Sequence, residues 1–243
     1  STLKHLSKDY LTNLNIPIPK SKQKITEWVN KISKPYTKKN KNEELIMKLE
    51  EQIRNKIKTI EENEECEEVK LGDMCEIKSG KAINSENRTG TLYPYYAANG
   101  ISGYVNEYIF DGKYIICAQD GSIGATHLVN CKFYASNHVW ILKINNINPY
   151  YIYIILKNNI DYTQITSGSV IPKLTKEKMS TIKIKLPKNK QLIKDFDPLF
   201  QQIETLQTEL KEAEELYKKL IKELSEEAMP SNKQELTKNK FIN

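Results

Sequence analysis

The chain has 243 residues, of which 39% are hydrophobic and 28% are charged. This length can hold one or two domains, and the low apolar share favours a modest core beside long solvated helices. No apolar run reaches the roughly 18 residues of a membrane span, and the four cysteines form neither a C-x-x-C pair nor a zinc-binding spacing with the three histidines. We therefore expect a cytoplasmic chain with free thiols, no membrane span and no metal site.

The net charge of +6 is distributed in blocks. Residues 1–42 carry +8 and residues 173–197 carry +5, whereas residues 43–68 carry −6. A basic surface can hold phosphates electrostatically, although an ordinary lysine-rich solvated surface explains the same charge equally well.

The N-terminal part of the chain is predicted to be mainly helical. Residues 5–12 form a short helix, residues 13–18 an alternating strand ended by prolines, and residues 21–33 a second helix. Asn42 can cap a long helix over residues 43–62, whose apolar side chains recur at heptad spacing.

Residues 69–172 are dense in Tyr, Gly and Asn and predict a compact, β-rich domain. Asp111-Gly112 is a signal for a tight hairpin, and Pro149 opens a helix that runs to Leu156. The predicted strands are Val69–Leu71, Met74–Lys78, Tyr108–Phe110, Tyr114–Ala118, Thr126–Val129, Lys132–Ala135 and His138–Ile144.

The last long helix has the clearest periodicity. Its apolar residues alternate by four and three over about four heptads, which predicts a seam. An antiparallel pair with the first long helix would bury both apolar stripes, and a homodimeric coiled coil is the alternative. The predicted fold class is therefore α+β (mixed α/β), a β-rich globular domain plus two long helices in an antiparallel coiled coil. The predicted seam residues are Leu199, Ile203, Leu206, Leu210, Ala213, Tyr217, Leu220 and Leu224.

A long internal repeat relates the two ends of the chain. Residues 5–28 and residues 173–196 are identical at eight of 24 aligned positions, and each copy precedes a charged helical run. The distance between the copies is too long for a solenoid, so it indicates duplication of domain-sized units. We expect the tail of one unit followed by the whole of the next, either as a fragment or as a natural split protein.

The segment of residues 79–110 is predicted to be mostly loop and turn, because four glycines punctuate it. Its Lys and Arg side chains can contact phosphates, its Asn, Ser and Thr side chains can read base edges, and its tyrosines offer packing or stacking surface. A polar surface loop with half-buried tyrosines is the alternative interpretation.

Three short motifs resemble catalytic ones but favour structural roles. Asn148–Tyr151 (NPYY) departs from the N-P-P-Tyr motif of adenine methyltransferases and lacks the accompanying Gly-rich turn. Glu76-x-Lys78 and Asp111-x-Lys113 lack an upstream acidic partner, so each is interpreted as a surface pair. No P-loop is present. We therefore expect no catalytic residues on this chain.

Other residues of the central region are also predicted to be structural. Asp120-Gly121 is interpreted as a turn, and His138 as a hydrogen-bonded structural side chain. The predicted core residues are Leu71, Ile77, Val139, Ile141, Leu174 and Ile182.

Six motifs follow one another along the chain. They are LGDMCEIKSG (71–80), YPYYAANGISGYV (93–105), AQDGSIGATH (118–127), SNHVWIL (136–142), ITSGSVIPKLTKEKM (165–179) and IKLPKNKQLI (184–193). Their order resembles the target-recognition domain of type I restriction–modification specificity subunits. Each motif alone is loose, but their order and spacing are specific, and the repeat matches a family whose subunits carry two tandem recognition domains.

The resemblance implies a division of the chain into five parts. Residues 1–37 would be the tail of a preceding recognition-domain repeat, 38–68 a spacer helix, 69–197 the DNA target-recognition domain, 198–229 the distal coiled-coil helix, and 230–243 a polar tail.

The resemblance also implies a function and partners. The recognition domain would bind one half of a bipartite double-stranded DNA site, and the helices would dock DNA methyltransferase (M) subunits of an adenine-methylating system. A restriction (R) subunit and a homodimer through the helices are further expected partners. Catalysis and the cofactor S-adenosylmethionine would reside on the methyltransferase, and this chain would hold no cofactor. The alternatives are the C-terminal specificity region of a fused restriction–methyltransferase enzyme, a coiled-coil adaptor that does not bind DNA, and a free-standing methyltransferase or nuclease.

The residues that the resemblance and their chemistry place at the DNA are cationic, amide, hydroxyl and tyrosine side chains. They are Lys78, Lys81, Asn84, Arg88, Tyr95, Asn99, Ser102, Tyr104, Ser169 and Lys173.

Overall fold

The computed structural model describes residues 19, 21–84, 86, 88–166 and 173–228. The chain forms two compact units. The globular unit comprises Met47–Ile203, and the helix-pair unit comprises the described parts of Ser1–Ile46 and Glu204–Asn243. Within the described residues, no helix combines the length and the apolar character needed to cross a membrane.

Seven helices and eight strands make up the described part of the chain. The helices are α1 (Lys22–Asn63), α2 (Leu71–Met74), α3 (Pro149–Asn158), α4 (Tyr162–Ile165), α5 (Lys176–Ser180), α6 (Gln191–Lys194) and α7 (Asp197–Ala228). The strands are β1 (Cys66–Lys70), β2 (Cys75–Ser79), β3 (Tyr93–Ala97), β4 (Gly100–Val105), β5 (Phe110–Ala118), β6 (Thr126–Ala135), β7 (Val139–Ile144) and β8 (Lys183–Pro187).

The two helices predicted over residues 21–33 and 43–62 are one helix, α1, which includes a buried Pro35. Asn42 is therefore not an N-cap, and this prediction was wrong. It lies in the middle of α1 and is buried, and its side-chain amide donates a hydrogen bond to the Glu209 carboxylate at 3.3 Å. Contacts with the second long helix thus outweigh the local capping signal. The predicted helix at residues 5–12 and strand at residues 13–18 lie outside the described residues.

In the helix-pair unit, α1 and α7 run antiparallel. Trp28 donates a hydrogen bond to Glu227, the ring centres of Tyr36 and Tyr217 lie 5.9 Å apart, and Asn42 donates to Glu209. Residues further along α1 therefore contact residues with lower numbers on α7. The predicted stripe of α7 is the less exposed side of this helix. Within the unit, Ala213 and Leu224 are buried, and the half-buried members are Leu206, Leu210, Tyr217 and Leu220.

The globular unit is built on a six-stranded sheet with the order β2-β7-β5-β6-β3-β4. Neighbours are antiparallel except β3 and β6, which pair in parallel. One cluster of buried side chains comprises Phe110, Ile116, Val129, Phe133, Ala135, Val139 and Ile141. Helix α3 packs against β5, β6 and β7, and all its residues from Tyr150 to Leu156 are buried. The predicted α+β class is confirmed.

The hairpin predicted at Asp111-Gly112 is wrong. These two residues lie inside the continuous strand β5, where they pair with Lys132 and Cys131 of β6. The strands predicted on either side of the hairpin are therefore one strand, and β6 likewise joins two predicted strands. Pairing with a distant strand outweighs the local turn preference, because each ladder residue gains backbone hydrogen bonds.

The stretch predicted as loop over residues 79–110 contains strands β3 and β4 and the start of β5. The strand predicted at Val69–Leu71 is shifted, because β1 ends at Lys70 and the short helix α2 follows. The predicted core residues are confirmed, since Leu71, Ile77, Val139, Ile141, Leu174 and Ile182 are all buried.

A second, two-stranded sheet joins distant parts of the globular unit. Strands β1 and β8 pair antiparallel from Cys66 with Pro187 to Lys70 with Lys183. Beyond the strands, Leu71 N–H donates to Ile182 O at 2.8 Å, and Lys188 N–H donates to Glu65 O at 2.8 Å. The end of α1 and the segment before α7 are therefore tied together.

The predicted domain boundaries fall differently on the observed elements. The boundary at 37/38 lies inside α1, and strand β1 belongs partly to the predicted spacer helix. Helix α7 agrees with the predicted helix over 198–229 to within one residue at each end. The assignment of 69–197 as a separate domain stays a prediction, and residues 230–243 lie outside the described part of the chain.

The seam of the helix-pair unit can be tested with Leu210→Asp against Leu216→Asp. Leu210 belongs to the less exposed stripe, whereas 48% of Leu216 is exposed. Burying an unpaired carboxylate is costly, so Leu210→Asp should lower the free energy of unfolding by at least about 2 kcal/mol more than Leu216→Asp. Urea unfolding monitored by circular dichroism measures the difference. Equal destabilisation would contradict the antiparallel seam.

The sheet protects two thiols from modification. Burial raises the pKa of Cys75 to about 11 and that of Cys117 to about 12, whereas Cys131 is exposed. At pH 8 the folded chain should therefore alkylate at Cys131 and not at Cys117, because only a thiolate reacts. Mass spectrometry after iodoacetamide treatment measures the sites. Equal labelling of Cys117 and Cys131 without denaturant would contradict the described sheet.

The same two thiols predict weaker stability at high pH. A raised folded-state pKa means that the neutral thiols stabilise the fold fully below the unfolded-state pKa, near 9. Their contribution should be lost as the pH rises from about 9 towards the folded values. Urea midpoints of the wild type and Cys117→Ala should therefore converge over that range.

Candidate nucleic-acid interface

The basic block around β8 is neutralised by the acidic stretch that ends α1 and forms β1. Nζ of Lys183 lies 2.7 Å from the carboxylate of Glu68, and Nζ of Lys190 lies 2.7 Å from that of Glu67. Lys188 pairs in the same way with Glu65. These neighbours raise the pKa of Lys183 and lower the pKa of Glu67. This part of the positive charge is therefore engaged within the chain.

Other lysines of the globular unit gather at a cavity of about 600 Å³. Lys78 and Lys81 come from the end of β2 and the loop after it, and Lys176 begins α5. Lys78 pairs with Glu76 at 3.0 Å, whereas Lys81 forms no ion pair with any described residue. The predicted surface pair Glu76–Lys78 is thus present. Trp140 also lines the cavity, and its indole N–H donates to Leu174 O at 2.8 Å.

The hairpin of β3 and β4 presents several of the predicted DNA-contacting side chains to solvent. Asn99 lies in the turn, and Ser102 and Tyr104 lie on β4, all three exposed. Ile101 is also exposed on this strand. In the segment before β5, the centre of the Tyr108 ring lies 4.7 Å from the ammonium of Lys132, which is on β6. The surface combines hydroxyl, amide, aromatic and cationic groups.

Tyr95 does not face solvent, which corrects its predicted DNA contact. Only 1% of it is exposed, because its ring stacks at 5.8 Å on the ring of Tyr134. The guanidinium of Arg88 lies 4.6 Å from the Tyr95 ring, and two of its N–H groups donate to Ile83 O at 3.1 and 3.2 Å. The Tyr95 ring therefore packs against the guanidinium of Arg88, and this contact and the two hydrogen bonds hold the guanidinium in one position.

The remaining predicted residues are scattered. Asn84 is exposed beside a separate cavity of about 550 Å³, and Lys173 is exposed. Ser169 lies outside the described residues. The structure thus brings Lys78 and Lys81 together at one cavity and places Arg88, Tyr95 and Asn99 around another. Their roles in binding DNA stay predictions.

Sequence reasoning left Lys176, Trp140, Asp120 and His138 out of the candidate interface. Lys176 had a signal, because it is one of the identical positions of the repeat. Asp120 and His138 had none, since they are separated in sequence and meet only in the fold. Their side chains lie 2.9 Å apart, so the prediction that His138 is hydrogen-bonded is confirmed.

The NPYY motif has a structural role. The Asn148 side chain accepts a hydrogen bond from Tyr150 N–H at 3.1 Å and caps α3, and Pro149 occupies the first turn. The Asn148 amide also donates to Asp197 at 3.0 Å. Across the described ranges, no group of three or more His, Cys, Asp or Glu side chains is arranged to hold a metal ion.

Comparison with known proteins gives consistent matches. The family model of the type I restriction modification DNA specificity domain matches residues 63–215. A protein named as a type I restriction enzyme specificity subunit of Haemophilus influenzae is 32% identical over 112 residues, which cover 44% of this chain and 29% of that protein. One named as a type I specificity subunit of Mycoplasma pneumoniae is 31% identical over 149 residues, covering 55% and 40%.

A solved structure shares the fold. The S subunit of a type I restriction-modification system from M. genitalium matches with a TM-score of 0.58 and 20% identity, over 86% of this chain and 59% of that one. The chain therefore spans less than two thirds of each of these three proteins.

The loop that carries Lys81 depends on a close backbone approach at Gly80. A Cβ atom there would lie 2.1 Å from the backbone oxygen of Ala135, the last residue of β6, and 2.4 Å from that of Ser136, which follows it. Gly80→Ala should therefore destabilise the globular unit by about 3 kcal/mol, measured by urea unfolding. Gly121→Ala is the control, because its Cβ would meet open space and only the positive φ of 68° would cost about 1 kcal/mol. Equal effects would contradict the described approach.

Proposed function

Because the chain belongs to the family of type I restriction–modification DNA specificity domains, we propose that it recognises double-stranded DNA by sequence and catalyses no reaction itself. In this proposal the globular unit binds one half of a bipartite site. The family match covers most of that unit, from residue 63 onwards.

The observation that carries the proposal is the cavity lined by Lys78, Lys81 and Lys176. Lys183 on β8 and Lys188 just after it are paired with carboxylates, whereas Lys81 has no such partner in the described part of the chain. Cationic side chains on a surface attract the phosphate backbone and release counterions when they bind it. This cavity is therefore the proposed contact with the DNA backbone.

Base recognition is assigned to the β3–β4 hairpin. Amide and hydroxyl groups such as those of Asn99 and Ser102 can pair with base edges, and the exposed Tyr104 can pack against them. Phosphate contacts set the register of a protein on a duplex, and base contacts supply the sequence preference. The two surfaces would thus have separate roles.

The helix-pair unit is the proposed docking site for methyltransferase subunits. It exposes large apolar side chains, including Val29, Tyr36 and Leu216, each about half exposed or more. These side chains are the proposed contacts with a methyltransferase subunit. Adenine methylation, the S-adenosylmethionine site and any cleavage would then belong to the methyltransferase and restriction chains. A homodimer through the helices stays a prediction.

The backbone contact can be tested by removing one lysine at a time. Lys81→Ala should weaken binding to all duplex sequences alike and reduce the slope of log affinity against log salt by about 1. Lys188→Ala removes the same charge, but Lys188 is paired with Glu65, so the slope should stay unchanged. Fluorescence anisotropy with a labelled duplex over a salt series measures both slopes.

Two results would contradict the proposal. If the wild-type chain, assembled with its methyltransferase, gave no sequence-selective footprint on DNA, recognition of DNA by sequence would be wrong. If Lys81→Ala and Lys188→Ala changed the salt slope equally, the lysine cavity would not be the backbone contact. A coiled-coil adaptor that does not bind DNA would give neither a footprint on DNA nor a dependence of DNA affinity on salt.

A further inference from the structure

A concave site of about 400 Å³ opens beside the turn between β3 and β4. It lies next to the exposed Asn99 and contains an acidic group, unlike the lysine cavity. Its polar lining is Arg88, Asn99, Asp120, Ser122, Ser136 and His138.

Asp120 and His138 form a pair in this site. Nδ1 of His138 lies 2.9 Å from one carboxylate oxygen of Asp120 and 3.2 Å from the other. The Asp120 side chain is 23% exposed and that of His138 is 58% exposed. The carboxylate is therefore oriented by a neighbour while it remains accessible from the cavity.

The backbone under this pair is anchored from two sides. Gln119 is buried, its N–H donates to His138 O at 2.9 Å, and its amide donates to Val139 O at 3.0 Å. The Ser136 hydroxyl accepts from His138 N–H at 3.1 Å. Leu174 N–H closes the arrangement by donating to Gln119 O at 2.8 Å. Both side chains thus project from fixed backbone, as a site for precise hydrogen bonding requires.

A donor group is held in the same cavity. The guanidinium of Arg88 rests on the buried Tyr95 ring, and Ile83 O accepts two of its N–H groups. A guanidinium has five N–H donors, so others remain available to a ligand. The cavity therefore presents an oriented acceptor, Asp120, beside two donors: Arg88, which is held by its contacts, and Asn99, which is exposed.

We propose that Asp120, oriented by His138, reads a DNA base by accepting a hydrogen bond from an exocyclic amino group. This inference rests on the proposed DNA recognition and adds a specificity-determining residue to it. A carboxylate is repelled by phosphates, so the favourable DNA partners for Asp120 are base amino groups. In the major groove these belong to cytosine N4 and adenine N6. The base that Asp120 contacts, on the strand that faces this cavity, should therefore be cytosine or adenine and not guanine or thymine.

The alternative role of the pair is purely structural. Asp120 follows β5 and His138 precedes β7, so the pair could serve only to tie two loops together. Such a tie would influence stability and affinity for all sequences equally. Base reading would instead change the preference at one position and leave the others intact.

The test is a selection with the chain assembled with its methyltransferase, from a duplex DNA library randomised over the half-site length. Asp120→Asn should reduce the discrimination at one position roughly ten-fold, because Asn can donate as well as accept. His138→Gln should weaken the preference at that same position, through loss of the carboxylate's orientation. Asp73→Asn removes a charge from an exposed site on α2 and should leave every position unchanged.

The outcomes separate this inference from the proposed function. If the wild-type chain enriches no sequence, both fail. If the wild type enriches a sequence and the Asp120→Asn and His138→Gln variants enrich it identically, only base reading by Asp120 fails. A uniform loss at all positions would also overturn it, since that is the signature of a structural tie. Melting temperatures accompany each selection, and if Asp120→Asn does not fold, the position-specific effect of His138→Gln decides.

Discussion

The pairing of β1 with β8 is the constraint on which the globular unit depends. These strands are more than a hundred residues apart in sequence, and their antiparallel ladder closes the whole intervening chain into one loop. Closing so long a loop has an entropic cost, which the ladder's backbone hydrogen bonds and the burial of the enclosed core offset. Because α1 leads into β1 and α7 follows β8, the ladder also holds the end of α1 beside the segment that precedes α7.

The same ladder determines which charges the unit can offer to a ligand. The acidic run at the end of α1 and in β1 pairs with lysines on β8 and just after it, so two oppositely charged blocks of the sequence neutralise each other. The net charge of +6 therefore says little about the binding surface. The cationic groups that matter in the proposed function are the few at the cavity of Lys81, away from the ladder.

The elements predicted correctly are those specified by local periodicity. Helix α7 was predicted almost to the residue, because heptad spacing continues through its length, and α3 was predicted from a proline at its first turn. Strand β5 was predicted as two separate strands because Asp111-Gly112 is a strong local turn signal, whereas pairing with β6 keeps these two residues extended. Likewise, composition could not show that Tyr95 is buried beneath Arg88. The candidate site was predictable where residues are close in sequence, as for Lys78 and Lys81, but not where Asp120 meets His138.

The contact between Leu71 and Ile182 has a consequence for how such a chain can change. The backbone hydrogen bond between them brings the entry and exit points of residues 71–182 together. A segment whose two ends meet can be replaced as a cassette without altering what it is attached to, and insertions with adjacent termini are well tolerated. A different stretch of sequence could thus be grafted between β1 and β8 while the long helices keep their attachment. Under the proposed function, the chain would gain a new target sequence while its assembly surface stayed constant.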